Sequence, residues 1–304
     1  MKYFLIILFS LSLLVISCKN EKPKATDNTT TTALEKKELN LSLAKVPDTW
    51  IKERVSKAQQ RLEATPAGKI VWQAMEAHGG LAHYYKQGPL SFHFDYKPLD
   101  GSTRRNTTQT VNTWNNTARH QNIEDAHQEF GWTGEKAWKK VKDSTAFPFD
   151  MRFWALTPYY FLGQPFILDG EGVNLEKLED KSFKNKMYDA IKVTFSAGTG
   201  DAPDDYYVLY FGKENHKLAV IRYIVSYPKY FPEGGHLPEK LMALQGTITV
   251  NGIELSTGYH THWLTKDEQP GEHITTITVS DISFKPEVEK TYFETPEGGI
   301  EITK

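Results

Sequence analysis

The chain has 304 residues, with 36 lysines and arginines against 38 acidic residues, ten histidines and a single cysteine. A formal net charge of −2 is not the footprint of a nucleic-acid binder, and it supplies no polybasic patch to seek anionic lipid. One cysteine excludes an internal disulfide framework and a site built from several thiolates.

Lys2 precedes an apolar run from Tyr3 to Ile16. The run falls short of the about 20 residues that a spanning helix needs and has the length of a signal-peptide core. It ends in Val15-Ile16-Ser17-Cys18, which resembles the lipobox of bacterial lipoproteins. That resemblance implies cleavage after Ser17 and acylation of Cys18, so that the membrane is reached through lipid and not through polypeptide. Removing residues 1–17 takes away one lysine and leaves a formal charge of −3. Residues 18–47 are polar, rich in threonine and lysine and free of aromatic side chains, and read as a flexible tether. Residues 48–304 are expected to form one β-rich domain.

Two helices should open that domain. Asp48 is a candidate N-cap for a helix over residues 49–64, and Thr65-Pro66 reads as an N-cap followed by proline at the first helical position. The second helix carries Ile70, Val71, Ala74, Met75 and Ala77 and stops at His78-Gly79-Gly80. His78, in its last turn, is placed to interact with the helix dipole.

Strands follow. Ser91–Lys97 alternates, with Phe92, Phe94 and Tyr96 on one face. Residues 103–114, 118–125, 127–132 and 136–141 continue as a meander. Phe147–Leu162 interrupts it with helical character: Phe149, Phe153 and Leu156 fall on one side, Met151 and Trp154 on the other. An element apolar on two sides is covered twice or covers something apolar. Strands resume at residues 189–196. Tyr206–Phe211 and Leu218–Tyr227 are apolar on both faces apart from Arg222 and Ser226, which predicts central strands covered on both sides. Asn251-Gly252 marks a hairpin between Thr247–Val250 and Ile253–Leu255. Strands at residues 273–284 and 300–302 bring the expected total to about ten.

Ala77-His78-Gly79-Gly80, the Gly131–Trp138 hairpin, Tyr159–Leu168 and Phe293–Gly299, in this order of elements, resemble cell-envelope lipoproteins of the LolA/LolB/LppX-like fold. The resemblance implies an α+β fold: a curved antiparallel half-open barrel with the N-terminal and central helices packed on its concave face. It also implies that a lipid or acyl chain is carried between sheet and helices, at the cell envelope and the outer membrane, without catalytic residues or a cofactor.

The candidate ligand-binding residues are therefore those of the central insertion: Phe149, Phe153, Trp154, Tyr159, Tyr160, Phe161 and Phe166. Pockets for small molecules are concave, mostly apolar and rich in aromatic side chains. A plain core plug would have the same composition. Two further readings belong to other classes. His260 and His262, two apart on a strand, point to one face and could share a metal in a hydrolase, with His78, His83, His236 or Glu272 as unanchored further ligands. Exposed tryptophans such as Trp114, Trp132 and Trp138 would suit a glycan-binding surface. Arg104, Arg105, Arg119 and His120 could form a small anion site or simply a solvated strand face. The sequence has no GxSxG elbow, no phosphate-cradling glycine loop and no thiol nucleophile, so it assigns no catalytic residue. The expected partners are an apolar molecule or lipid and, through Cys18, a membrane. Oligomeric state is left open.

Overall fold

Thr65 marks the corner where the first helix ends and the second begins. The computed structural model describes residues 42–200, 202 and 204–302. The apolar leader, Cys18 and the tether up to residue 41 lie outside them. The described chain enters earlier than residue 48: Leu43 bridges to Glu289, and Ala44 is fully buried with its N–H donating to Val288 O at 2.7 Å.

Helix α1 spans Asp48–Glu63 and α2 spans Pro66–Ala77. Asp48 is not the N-cap of α1. It is the first helical residue, after an extended Pro47, and there its charge favours the positive end of the helix dipole. The second start is as expected, with Thr65 Oγ1 accepting the Gly68 N–H at 3.0 Å. The two helices meet so closely that a Cβ on Gly68 would lie 2.0 Å from Leu62 O. After the His78-Gly79-Gly80 stop, a short helix α3 (Leu81–Lys86) turns the chain into the sheet.

Among the described residues, fourteen antiparallel strands build one curved, unclosed sheet. A first meander comprises β1 (Leu90–Pro98), β2 (Arg105–Val111), β3 (Ala118–Asn122), β4 (Glu129–Trp132) and β5 (Ala137–Lys140). After the helical insertion come β6 (Val173–Lys177), β7 (Lys181–Phe183), β8 (Lys186–Phe195), β9 (Tyr207–Gly212) and β10 (Leu218–Tyr223). The long strands β11 (Lys240–Val250), β12 (Ile253–Leu264) and β13 (Pro270–Phe284) follow, and β14 (Ile300–Ile302) closes the list. The spatial order is β14-β5-β4-β3-β2-β1-β13-β12-β11-β10-β9-β8-β6, with β7 paired to β8. The two halves are sewn together at β1 and β13, paired from Leu90 opposite Phe284 to Pro98 opposite Thr275 with a register shift between Ser91 and His93.

The α+β class and the open antiparallel sheet are as expected, but the strands number fourteen and not ten. Among the additions are β6 and β7, which are only five and three residues long and carry few apolar side chains (VNLEK and KSF). The central strands β9 and β10 are covered on both sides. Leu209, Phe211, Ile221 and Tyr223 face the main core, while Val208, Tyr210 and Val220 pack with Phe183 on the opposite face.

The insertion between β5 and β6 holds α4 (Met151–Trp154), α5 (Thr157–Leu162) and a 3-10 turn (Phe166–Asp169). It is fastened to α1: Arg54 grips Asp169 through two hydrogen bonds at 2.6 and 3.0 Å, and Arg61 donates to Leu168 O at 2.8 Å. Among the described residues no helix is long and apolar enough to cross a membrane.

Candidate functional site

Between the helical insertion and the inner face of the sheet lies a cavity of about 860 Å³. That volume falls within the roughly 300–1,000 Å³ usual for sites that bury a small molecule. The insertion supplies one wall and β1, β2, β9, β10 and β11 supply the other. Alternation brings the sheet wall inward: Tyr96, Tyr207, Tyr223 and Lys240 sit on the same face as the core residues Phe94, Leu209, Ile221 and Met242.

The lining is aromatic and unusually hydroxylated, with nine tyrosines in it. Tyr84 and Tyr159 share a hydrogen bond of 2.9 Å, and Tyr85 donates to Asp169 at 2.6 Å. Burial pushes the phenols of Tyr159, Tyr207 and Tyr223 above their ordinary range, so all three present hydroxyl groups and not phenolates. Trp50 packs edge-on against Tyr85 at 5.2 Å, and Tyr84 stacks on Phe166 at 4.2 Å, which ties the N-terminal helices to the cavity wall.

Of the seven insertion residues read from the sequence, Phe153, Trp154, Tyr159, Tyr160, Phe161 and Phe166 line this cavity. Phe149 does not. It sits behind the wall, packing with Phe130 and Phe147, each at 5.9 Å, and with the back of Trp154 at 6.2 Å, in a cluster that also takes in Met151. The helical face assumed for it does not exist, because Asp150 caps α4 by accepting the Phe153 N–H at 3.0 Å. Phe149 therefore precedes the helix. The insertion is still apolar on two sides, with Phe149 and Met151 against β4 and β5 and Phe153 and Trp154 toward the cavity.

The remaining candidates are dispersed. His262 stacks on His273 and His260 lies tilted against it by 36°, with ring centroids at 4.9 and 4.5 Å, so the three imidazoles pack ring against ring. His262 and His273 are also engaged with the carbonyls of Gly271 and Thr275. His83 bonds Asn251 O, and among the described residues no group of three or more histidine, cysteine or acidic side chains is arranged to hold a metal. His78 does not serve as a dipole-stabilised cation. Its Nδ1–H donates to Glu254 O and its Nε2 accepts the Leu218 N–H, both at 3.2 Å, and burial lowers its pKa. The imidazole is thus a neutral clamp between α2, β10 and β12.

The tryptophan surface is also corrected. Trp138 is fully buried, and Trp114 and Trp132 are half-buried and line the cavity. Trp138 sits under Gly131, where a Cβ would come within 2.6 Å of its ring. The four basic residues at the start of β2 and in β3 separate as well. Arg104 pairs with Asp95 outside, Arg119 pairs with Glu129, and buried His120 bonds Ala155 O at 2.8 Å. Arg105 alone turns into the cavity.

Sequence reasoning missed the partner of Arg105. Lys240 is 8% exposed, with Nζ over the rings of Tyr223 and Trp263 at 5.7 and 5.3 Å. Burial first, and the field of Arg105 second, push its pKa down to about 8. The signal lay in Lys-Leu-Met-Ala-Leu, a strand in which Lys240 alternates in phase with the inward Met242.

A family of unknown function (DUF6503) matches residues 139–230, under a third of the chain, a stretch that holds the insertion and strands β6 to β10. Among curated proteins none is similar in sequence. Solved structures similar to this chain include a LolA superfamily protein from Nitrosomonas europaea, 12% identical, with 73% of this chain and 94% of that one covered and a TM-score of 0.46. A putative outer membrane lipoprotein-sorting protein domain from Vibrio parahaemolyticus gives 12% identity, 75% and 97% coverage and a TM-score of 0.46. A DUF1329 family protein from Desulfovibrio piger gives 11%, 75% and 97%, and 0.49. The fold described above stands on the strand pairing of this chain alone.

Proposed function

We propose that this chain binds or carries an apolar, acyl-chain ligand in the cavity between sheet and insertion, as a cell-envelope protein tethered at the outer membrane through lipid on Cys18. The observation that supports the ligand reading is the cavity itself. About 860 Å³ stays unfilled beside side chains as large as Trp154, Tyr159 and Phe166. A plug that served only as core would close that space, because interiors pack to the density of organic crystals. The tether reading rests on the Val15–Cys18 sequence.

The full chain carrying Cys18→Ser, which cannot be acylated at that position, is purified without detergent and weighed by native mass spectrometry. A retained mass of one acyl lipid, lost in Trp154→Ala, is the expected result. A bare mass that also fails to take up a fluorescent fatty acid would remove the reading.

A further inference from the structure

Four cations line the cavity: Arg54, which Asp169 holds, Arg152, which lies over the ring of Trp132, and the pair Arg105 and Lys240. Arg105 and Lys240 both line it, Arg105 from β2 and Lys240 from β11. Arg105 lies over Tyr96 and Trp154 at 5.3 and 5.0 Å, donates to Thr103 O, and leaves its buried Nε without a hydrogen-bond acceptor. Lys240 lies against the ring faces of Tyr223 and Trp263. Among the described residues no carboxylate stands within ion-pair distance of either. The acids that line the cavity are committed elsewhere, Asp169 to Arg54 and Tyr85, and Asp205 to the N–H and hydroxyl of Ser226 at 2.6 and 2.7 Å.

Such an arrangement is costly as it stands. Arg222, the other cation among the described residues buried as deeply as Lys240, has carboxylates: 6% exposed, it takes Glu239 at 2.9 Å and Glu268 at 3.0 Å. A buried charge without a counter-charge destabilises a fold, and a second charge of the same sign nearby adds to the cost. An anion placed between the two would reverse both terms and accept the idle Nε–H of Arg105 in a charge-assisted hydrogen bond.

We propose that Arg105 and Lys240 form an anion subsite within the cavity, and that the ligand is an anionic amphiphile: an acyl chain ending in a carboxylate or phosphate. The chain lies along Trp154, Phe161 and Phe166, and the headgroup meets the guanidinium and the ammonium. This rests on the acyl-ligand reading above and adds the charge.

The test uses the full chain with Cys18→Ser, titrated with parinaric acid, with the uncharged methyl ester of the same fluorescent chain, and with inorganic phosphate. The acid is expected to bind at least about ten-fold more tightly than the ester, the worth of one hydrogen bond to a charged group. The preference should vanish in Lys240→Met and in Arg105→Leu while the ester binds as before, and Lys240→Arg should keep it. Lys240→Met guards against loss of fold, since it removes a buried charge and keeps the side chain's length. Equal affinity for acid and ester in the parent chain overturns the subsite and leaves the acyl-ligand reading standing. A preference that survives both charge-removing variants also overturns it. Phosphate binding that depends on Lys240, with no uptake of either chain, identifies a free anion and overturns the amphiphile. Binding of none of the three removes both readings together.

Discussion

Tyr84 of α3 and Tyr159 of α5 meet hydroxyl to hydroxyl at 2.9 Å in the interior, each about 1% exposed. This bond adds to those of Arg54, Arg61 and Tyr85 in joining the N-terminal helices to the insertion that forms the cavity wall. Because both groups are buried, either single Tyr→Phe change leaves a hydroxyl without its partner, at a cost of about 1–2 kcal/mol. The double change Tyr84→Phe with Tyr159→Phe should cost about as much as one of them. Urea unfolding of the four proteins checks this, and strictly additive losses would mean that the two hydroxyls do not depend on each other.

His120 makes stability fall in mild acid. Its ring stacks on Phe130 at 4.3 Å, its Nε2–H donates to Ala155 O, and burial pushes its pKa down to about 4. The unfolded chain takes up that proton near pH 6.5. Between these values the unfolded state binds a proton that the folded state refuses, so the contribution is complete above pH 6.5 and is lost as pH falls toward 4. It amounts to about 3 kcal/mol. The stability difference between the parent and His120→Gln should therefore shrink between pH 7 and pH 4.5, and a constant difference across that range contradicts the assignment.

Lys240 acts in the same sense at higher pH. Its folded pKa of about 8 lies below the 10.5 of a free lysine, so stability from this group rises as pH climbs from 8 to 10.5 and its full cost is present below 8. Lys240→Met should raise stability at pH 7 by about 1–3 kcal/mol, with the gain shrinking toward pH 10. Urea midpoints at pH 7 and 9.5 measure it. A loss of stability at pH 7 would show that the ammonium is compensated in the folded chain.

Gly79 sits at φ +118 with the Asn251-Gly252 turn directly against it, and a Cβ there would lie 2.3 Å from Gly252 O. Gly79→Ala faces both a disfavoured backbone and a backbone clash, and should destabilise by about 2 kcal/mol or more. Gly101, also at positive φ, has open space around it, so Gly101→Ala should cost about 1 kcal/mol, from backbone strain alone. Paired thermal melts separate the two.

What could be read from the sequence was chemistry confined to a few neighbouring residues. Thr65-Pro66 names a helix start because the cap and the fixed proline φ act within one turn, and Asn251-Gly252 names a hairpin for the same reason. The aromatic insertion was visible because six large side chains fall within fourteen residues. Phe149 was misplaced because one side chain, that of Asp150, moved the helix start past it. The strands β6 and β7 escaped because five and three residues are too few for a mostly polar sequence to show a period. Lys240 escaped because its meaning depends on Arg105, 135 positions away in the chain. Burial without a counter-charge belongs to the fold, and no local pattern carries it.

The seam between β1 and β13 pairs Leu90 with Phe284, nearly 200 residues apart. Tyr96 lies on one side of that seam and Lys240 beyond the other, so the cavity floor is completed by strands from opposite ends of the domain. A nascent chain that stops before residue 270 has every aromatic residue of the lining and no β13 to hold the two halves side by side. Long-range closure of this kind is slow. The site is thus one of the last things the chain makes: ribosome-bound intermediates and C-terminal truncations should be unable to bind ligand at all, with no graded series of weaker sites leading up to the complete one.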